Sequence, residues 1–79
     1  MNIKSKIGIQ IKELREEQNM SQKDLAYTSD LDRSYIASVE SGQRNVSIIN
    51  IERIASALGL TLKGFFNNDR FDYDSTSSG

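Results

Sequence analysis

The residues with the clearest chemical potential lie between positions 22 and 45 of the 79-residue chain. Arg33 carries a planar guanidinium fork that matches the O6 and N7 acceptors of guanine in the major groove of DNA. Arg33 begins a helix predicted over residues 33–41, and the other outward positions of that helix are small, which would let it lie deep in a groove: Ser34, Ala37 and Ser38. This pattern favours contact with DNA bases. The alternatives are an ordinary solvated face, or a surface arginine paired with Asp30 or Asp32.

The formal net charge of −1 at first argues against a nucleic-acid partner, because phosphate binding favours lysine and arginine. The arrangement of the charges matters more than their sum. The stretch Gln43–Asn45 contains Arg44 and no acid, and Arg33 could share that face. Part of the negative charge lies near the end of the chain, which contains three acids, Asp69, Asp72 and Asp74, and one arginine, Arg70. Binding to DNA is therefore compatible with the charge, with a weak non-specific background.

The composition excludes several other classes of function. The chain has no cysteine and no histidine, which excludes disulfides, thiolate or imidazole metal sites and a nucleophile–histidine pair. No glycine-rich phosphate loop is present. The sequence therefore predicts no enzyme, no cofactor, no metal and no small-molecule ligand. Its apolar runs are short and its start lacks a signal-peptide core, so we expect a cytoplasmic protein with no membrane partner.

The apolar pattern predicts an all-α fold, a compact bundle of five short helices without strands. Hydrophobic residues are 37% of the chain and charged residues 27%, the balance of one globular domain. The predicted helices cover residues 4–19, 22–28, 33–41, 47–58 (or from 50) and 62–67. Hydroxyl, carboxylate or amide caps precede them from the second onward: Ser21, Asp32, Ser47 or Asn50, and Thr61. We expect a DNA-binding and dimerisation domain over residues 1–68, and an acidic, serine-rich tail over residues 69–79 that is disordered at its end.

The second and third predicted helices have the features of a helix-turn-helix. Ala26 is small, as the crossing of the two helices requires, and Asp30 lies where a flexible turn residue is needed. Ile36 and Val39 supply the branched pair inside the second helix of the unit. Each residue type alone is weak evidence, but the set at these spacings predicts the motif.

Three segments of the sequence, MSQKDLA at residues 20–26, DRSYI at 32–36 and ESG at 40–42, resemble the lambda-repressor-like (XRE) helix-turn-helix family. LDRSYI at 31–36 and QRNVSI at 43–48 further resemble the controller proteins of bacterial restriction–modification systems. The likeness covers about residues 5–67. The sequence departs from the family at Asp30, where glycine is usual, and at Ser29, where an apolar residue is common and whose gap Leu31 would fill.

The resemblance implies a transcriptional regulator that binds a palindromic or pseudo-palindromic operator in double-stranded DNA as a homodimer. It would control its own gene and a neighbouring endonuclease gene, with RNA polymerase as a further partner. Two alternatives stay open: a phage-type repressor or antitoxin that acts on its own operon, and a protein-interaction module that has lost DNA binding.

The resemblance also suggests which residues contact DNA. Gln22 would hold a phosphate at a helix N-terminus, with Lys23 beside it. Tyr35 would contact a phosphate or a thymine methyl group, or else cover the edge of the core. The loop after the recognition helix would lie against the DNA backbone. The complete predicted set is Gln22, Lys23, Arg33, Ser34, Tyr35, Ala37, Ser38, Gln43, Arg44 and Asn45.

Arg15 and Glu40 match positions that form a structural salt bridge in the family, so we expect them to pair and not to bind DNA. An apolar cluster near the C-terminus predicts the dimer surface, because a short terminal helix can bury only part of it. Its members are Leu60, Leu62, Phe65 and Phe66, with Ile48 or Ile49 completing it. The alternative is that Phe65 and Phe66 cap the core of the monomer. We expect one of these two rings to face inward and the other outward.

Overall fold

The computed structural model describes residues 2–72, and within this range helices joined by turns and loops are the only regular secondary structure. The five predicted helices are present, which confirms the all-α fold. A single turn of 3-10 helix, which the sequence did not predict, follows them. The elements are α1 (Ile3–Glu17), α2 (Gln22–Ser29), α3 (Arg33–Glu40), α4 (Ile48–Ala57), α5 (Leu62–Phe65) and the 3-10 turn (Asp69–Phe71). None of the described helices is long and apolar enough to cross a membrane.

Local side-chain caps set where most helices begin. Ser21 and Asp24 form a reciprocal capping box, in which each backbone N–H donates to the other residue's side chain at 2.9 Å. The hydrogen bond that the Ser21 backbone N–H donates, with a further one from the Ser21 side chain, holds the pKa of the Asp24 carboxyl below its usual value. Ser47 accepts from the N–H of Asn50 and so starts α4. Asp32 occupies the predicted N-cap position of α3 with an extended backbone, but its side chain accepts no capping hydrogen bond.

The core lies between the five helices: α1 packs on α3, α2 packs on both α3 and α4, and α5 packs on α4. Its fully buried large side chains come from all five helices: Ile11, Leu25, Ile36, Val39, Ile54 and Phe65. α1 crosses the end of α3 at Gly8, where an added Cβ would lie 2.5 Å from the carbonyl oxygens of both Val39 and Glu40. The two helices are therefore packed backbone against backbone, which fixes the position of α3 relative to α1.

The turn of the helix-turn-helix accommodates both departures from the family pattern. Asp30 adopts the left-handed conformation (φ 59°, ψ 42°), which explains why glycine is usual there. Ser29 is the buried last residue of α2, and its hydroxyl donates to the carbonyl of Leu25 at 2.6 Å. The local hydrogen bond lets a polar side chain take an apolar position. Leu31 packs half-buried against the core beside it.

The packed part of the chain extends beyond the domain boundary predicted at residue 68. Arg70 donates to Gln10 Oε1 at 3.0 Å and to Glu13 Oε1 at 2.8 Å, both on α1. The ring of Phe71 meets Phe66 edge to face, with centroids 4.9 Å apart. The contacts of Arg70 join residues 57 and 60 positions apart, so the local sequence pattern does not indicate them. The predicted disorder at the end of the tail falls on residues 74–79, which lie outside the described range.

Candidate nucleic-acid interface

The outer face of α3 contains the predicted base-contacting residues. Ile36 and Val39 are buried, whereas Arg33 and Ser34 at the start of the helix are exposed. The other two small residues of this face, Ala37 and Ser38, are half-buried. Within residues 2–72, Arg33 forms no ion pair. The alternative, a surface arginine paired with Asp30 or Asp32, is therefore wrong. The guanidinium at the start of α3 is available to a ligand.

The side chain of Tyr35, on α3, contacts both α4 and the loop that follows α3. Its ring is half-buried against the core, as one of the two sequence-based interpretations expected. Its hydroxyl accepts a hydrogen bond from Asn50 Nδ2 at 3.0 Å. The guanidinium carbon of Arg44 lies 5.3 Å from the centre of the ring, in cation–π geometry. The ring thus supports one predicted DNA-contacting residue while being held by a residue of α4.

The start of α2 places Gln22 and Lys23 directly after the Ser21 cap. Lys23 is exposed, and Gln22 is half-buried. The Gln22 amide donates to Glu40 Oε1 at 3.1 Å, so its side chain is held in place without DNA. The contact of either residue with a phosphate stays a prediction.

Arg15 and Glu40 form the ion pair that the family resemblance implies. Arg15 Nε donates to Glu40 Oε2 at 2.8 Å, and Nη2 donates to Oε1 at 2.9 Å. The remaining Nη1 donates to the carbonyl of Met20 at 2.8 Å. Only 10% of the Arg15 side chain and 4% of the Glu40 side chain are exposed. The hydrogen bond with Glu40 raises the pKa of Arg15, and the pair ties α1 to the end of α3.

The loop after α3 presents three exposed side chains, Gln43, Arg44 and Asn45. Gly42 ends α3 in the left-handed conformation (φ 77°), and the N–H of Gln43 bonds back to the carbonyl of Ser38 at 3.1 Å. This backbone hydrogen bond closes the end of α3, and the loop begins there.

The predicted dimer surface needs one correction. Phe65 is fully buried in the core of the monomer, so it is not available to a partner and its assignment to that surface is wrong. The amide of Gln10 donates to its carbonyl at 2.7 Å, which fixes α5 against α1. Phe66 is half-buried between the rings of Phe65 and Phe71. Phe65 is thus the inward ring of the pair, and Phe66 lies nearer the surface.

The other residues of that surface are accessible. Ile48 and Ile49 at the start of α4 are 60% and 66% exposed. Leu60 and Leu62 line an open groove of about 930 Å³ between the end of α2, α4 and α5. The two isoleucines thus lie at the start of α4 and the two leucines beyond its end, where the groove also has polar and charged walls that include Glu52, Arg53 and Lys63.

Two residues that the structure brings to attention, Tyr27 and Asn50, were not singled out from the sequence. Tyr27 is 89% exposed on α2, four residues after Lys23, and this i, i+4 spacing could have drawn attention to it. Asn50 was considered only as a helix cap, although it contacts Tyr35. The sequence holds no signal for that contact, because it depends on how α4 packs against α3.

The paired short helices, the left-handed turn and the exposed face of α3 define a helix-turn-helix domain. A family model described as helix-turn-helix matches residues 11–65. The chain is 44% identical to the control protein C.MunI of a Mycoplasma species over 85% of this chain and 92% of that protein. It therefore belongs to the helix-turn-helix family, among the control proteins of restriction–modification systems.

Solved structures agree with this assignment. The restriction–modification controller protein C.AhdI from Aeromonas hydrophila superposes with a TM-score of 0.77 at 46% identity, over 80% of this chain and 96% of that one. The controller protein C.Esp1396I, solved as a tetramer in complex with its natural 35 base-pair operator, superposes with a TM-score of 0.79 at 41% identity, over 84% of this chain and 87% of that one.

Proposed function

We propose that this protein is a transcriptional regulator that binds a palindromic or pseudo-palindromic operator as a homodimer and controls its own gene and a neighbouring endonuclease gene. The observation that carries the proposal is Arg33, exposed and without an ion-pair partner within residues 2–72, at the start of a helix whose outer face is small. A guanidinium so placed suits bidentate contact with guanine. The operator complex of the relative C.Esp1396I supports the same partner for this chain.

The remaining predicted contacts surround α3. The small residues Ser34, Ala37 and Ser38 allow close approach to base edges, and Tyr35 lies beside them. Backbone contacts then come from α2 and the loop after α3, through Gln22, Lys23, Gln43, Arg44 and Asn45. Arg15 and Glu40 are assigned to the fold and not to DNA, because their charges are mutually satisfied and buried.

A homodimer is part of the proposal because one recognition helix contacts only a few base pairs. Doubling it by two-fold symmetry gives the site length that specificity requires, with the two helices roughly 34–36 Å apart. The proposed dimer surface, revised for the burial of Phe65, consists of Ile48, Ile49, Leu60, Leu62 and Phe66.

The protein acts by binding and not by catalysis, since a chain without histidine or cysteine lacks the usual nucleophile–base pairs. Its site of action is the cytoplasm, where bacterial operator DNA lies. Contact with RNA polymerase stays a prediction.

Selection from a pool of random duplexes tests the DNA partner. We expect enrichment of an inverted repeat with half-site centres about one helical turn apart, and an affinity that falls steeply with salt concentration. A protein that enriches no sequence contradicts the proposal.

Sedimentation at micromolar concentration tests the dimer. We expect the wild type to be dimeric, Leu62→Glu to be largely monomeric, and Lys12→Glu, which reverses an exposed charge on α1, to match the wild type. A wild type that stays monomeric even on the enriched site contradicts the dimer.

A further inference from the structure

Asn50 joins α4 to the DNA-facing side of α3. It is the third residue of α4, and its backbone N–H is already bonded to the Ser47 cap at 3.1 Å. Its side chain does not point to solvent; Nδ2 donates to the hydroxyl of Tyr35 at 3.0 Å. Both side chains are half-buried, so the bond is partly shielded from water.

The same tyrosine ring supports Arg44. The guanidinium lies 5.3 Å from the ring centre, while Arg44 itself is exposed. Asn50, Tyr35 and Arg44 thus form one chain of contacts from α4 through α3 to the loop. Fixing the ring at its hydroxyl end also fixes the platform on which the arginine rests.

The hydrogen bond leaves Tyr35 able to bind a further group. A phenol has one donor and can also accept, and Asn50 uses only the acceptor side. The O–H proton therefore stays available for a phosphate or a base acceptor. With Asn50 as donor, the hydroxyl is oriented before DNA arrives, which lowers the entropy cost of ordering it on binding.

We propose that Asn50 is a positioning residue for DNA recognition: it fixes Tyr35, and through the tyrosine ring Arg44, in the arrangement that the specific site requires. The inference rests on the proposed function, because it assigns Asn50 a role at the same DNA-binding site. It places a determinant of sequence preference on α4, outside the helix-turn-helix unit itself.

The test compares Asn50→Ala, Tyr35→Phe and the double variant on the duplex that the wild type enriches and on a scrambled duplex. We expect Asn50→Ala to weaken binding to the enriched site ~5-fold, the equivalent of one neutral hydrogen bond. Its effect on the affinity for the scrambled duplex should be smaller. In the Tyr35→Phe background, Asn50→Ala should have no further effect, because the hydroxyl it acts on is gone. The exposed Asn67→Ala serves as the matched control.

Thermal melts and the base preferences from repeated selection complete the experiment. A positioning role predicts broader preferences for Asn50→Ala together with a melting temperature near that of the wild type. Unchanged preferences, or losses that multiply in the double variant, would overturn the inference while leaving the proposed function intact. A wild type that enriches no sequence would instead overturn the proposed function itself.

Discussion

The carboxylate of Glu40, at the end of α3, accepts a hydrogen bond from the side-chain amide of Gln22, at the start of α2. The same oxygen, Oε1, also accepts from Arg15 of α1. One buried carboxylate therefore links the first three helices and orients a residue predicted to hold a phosphate. The Arg15–Glu40 ion pair and the Gln22–Glu40 hydrogen bond therefore belong to a single network. From the sequence alone, Gln22 and the ion pair had been given separate roles.

Removing either partner of the ion pair is expected to destabilise the fold. Arg15→Met or Glu40→Gln leaves a buried charge without its partner, which costs about 3–5 kcal/mol. Urea unfolding of each single variant measures the loss. The exposed charges Lys12 and Glu17, changed to Met and Gln, are the matched controls and should have little effect. Normal stability with a selective loss of DNA binding would mean that the pair acts at the DNA interface.

Asp30→Gly should raise the free energy of unfolding. The left-handed backbone at φ 59° costs a residue with a Cβ about 1 kcal/mol, and the greater entropy of glycine in the unfolded chain offsets part of it. A net gain of about 0.5 kcal/mol is expected from the unfolding midpoint. Asp32→Gly, at an extended backbone position two residues on, should give no gain. Equal responses of the two variants would contradict the argument.

Gly8→Ala should destabilise the protein even though alanine is the better helix former. The new methyl group would lie 2.5 Å from two backbone oxygens of α3, so the helices must separate, at about 1–3 kcal/mol. Gly64→Ala is the control, because its Cβ would meet nothing closer than 3.4 Å. A stability at or above that of the wild type for Gly8→Ala would show that α1 and α3 do not approach so closely.

Phe71→Ala should lower stability by about 1–2 kcal/mol, because the ring packs edge-on against Phe66 and the segment is anchored to α1 by Arg70. Removal of residues 75–79, which contain no apolar side chain, should change neither stability nor operator affinity. Thermal melts separate the two cases. If Phe71→Ala melted with the wild type, the 3-10 segment would not be part of the fold in solution.

The sequence predicted those parts of the structure that depend on neighbours along the chain. Ser21 with Asp24 starts α2 through bonds spanning three residues, so this pattern is visible in the sequence. For α4 the sequence left Ser47 and Asn50 as alternative caps, and Ser47 takes that role. The orientations of Phe65 and Phe66 were left open, since a four-residue helix has too little periodicity to separate two adjacent rings.

Contacts distant in sequence could not be predicted from local pattern. Arg70 bonds Gln10 across sixty positions, and Asn50 bonds Tyr35 only because α4 packs beside α3. For the candidate site, the residue types were predictable from the motif and the family resemblance. The links between those residues, through Glu40 and Asn50, required the structure.

The most direct test of the account is the ratio of affinities for the enriched operator and for a scrambled duplex, measured for the wild type and Arg33→Ala at one salt concentration. Loss of a bidentate guanine contact should cost about 1–3 kcal/mol on the operator and little on the scrambled duplex, with preference relaxed at one base position. Gln22→Ala and Arg44→Ala remove proposed contacts to the DNA backbone, so they should lower the affinity for both duplexes more evenly. An Arg33→Ala variant that keeps the wild-type ratio and base preference would contradict the assignment of α3 as the helix that recognises the sequence.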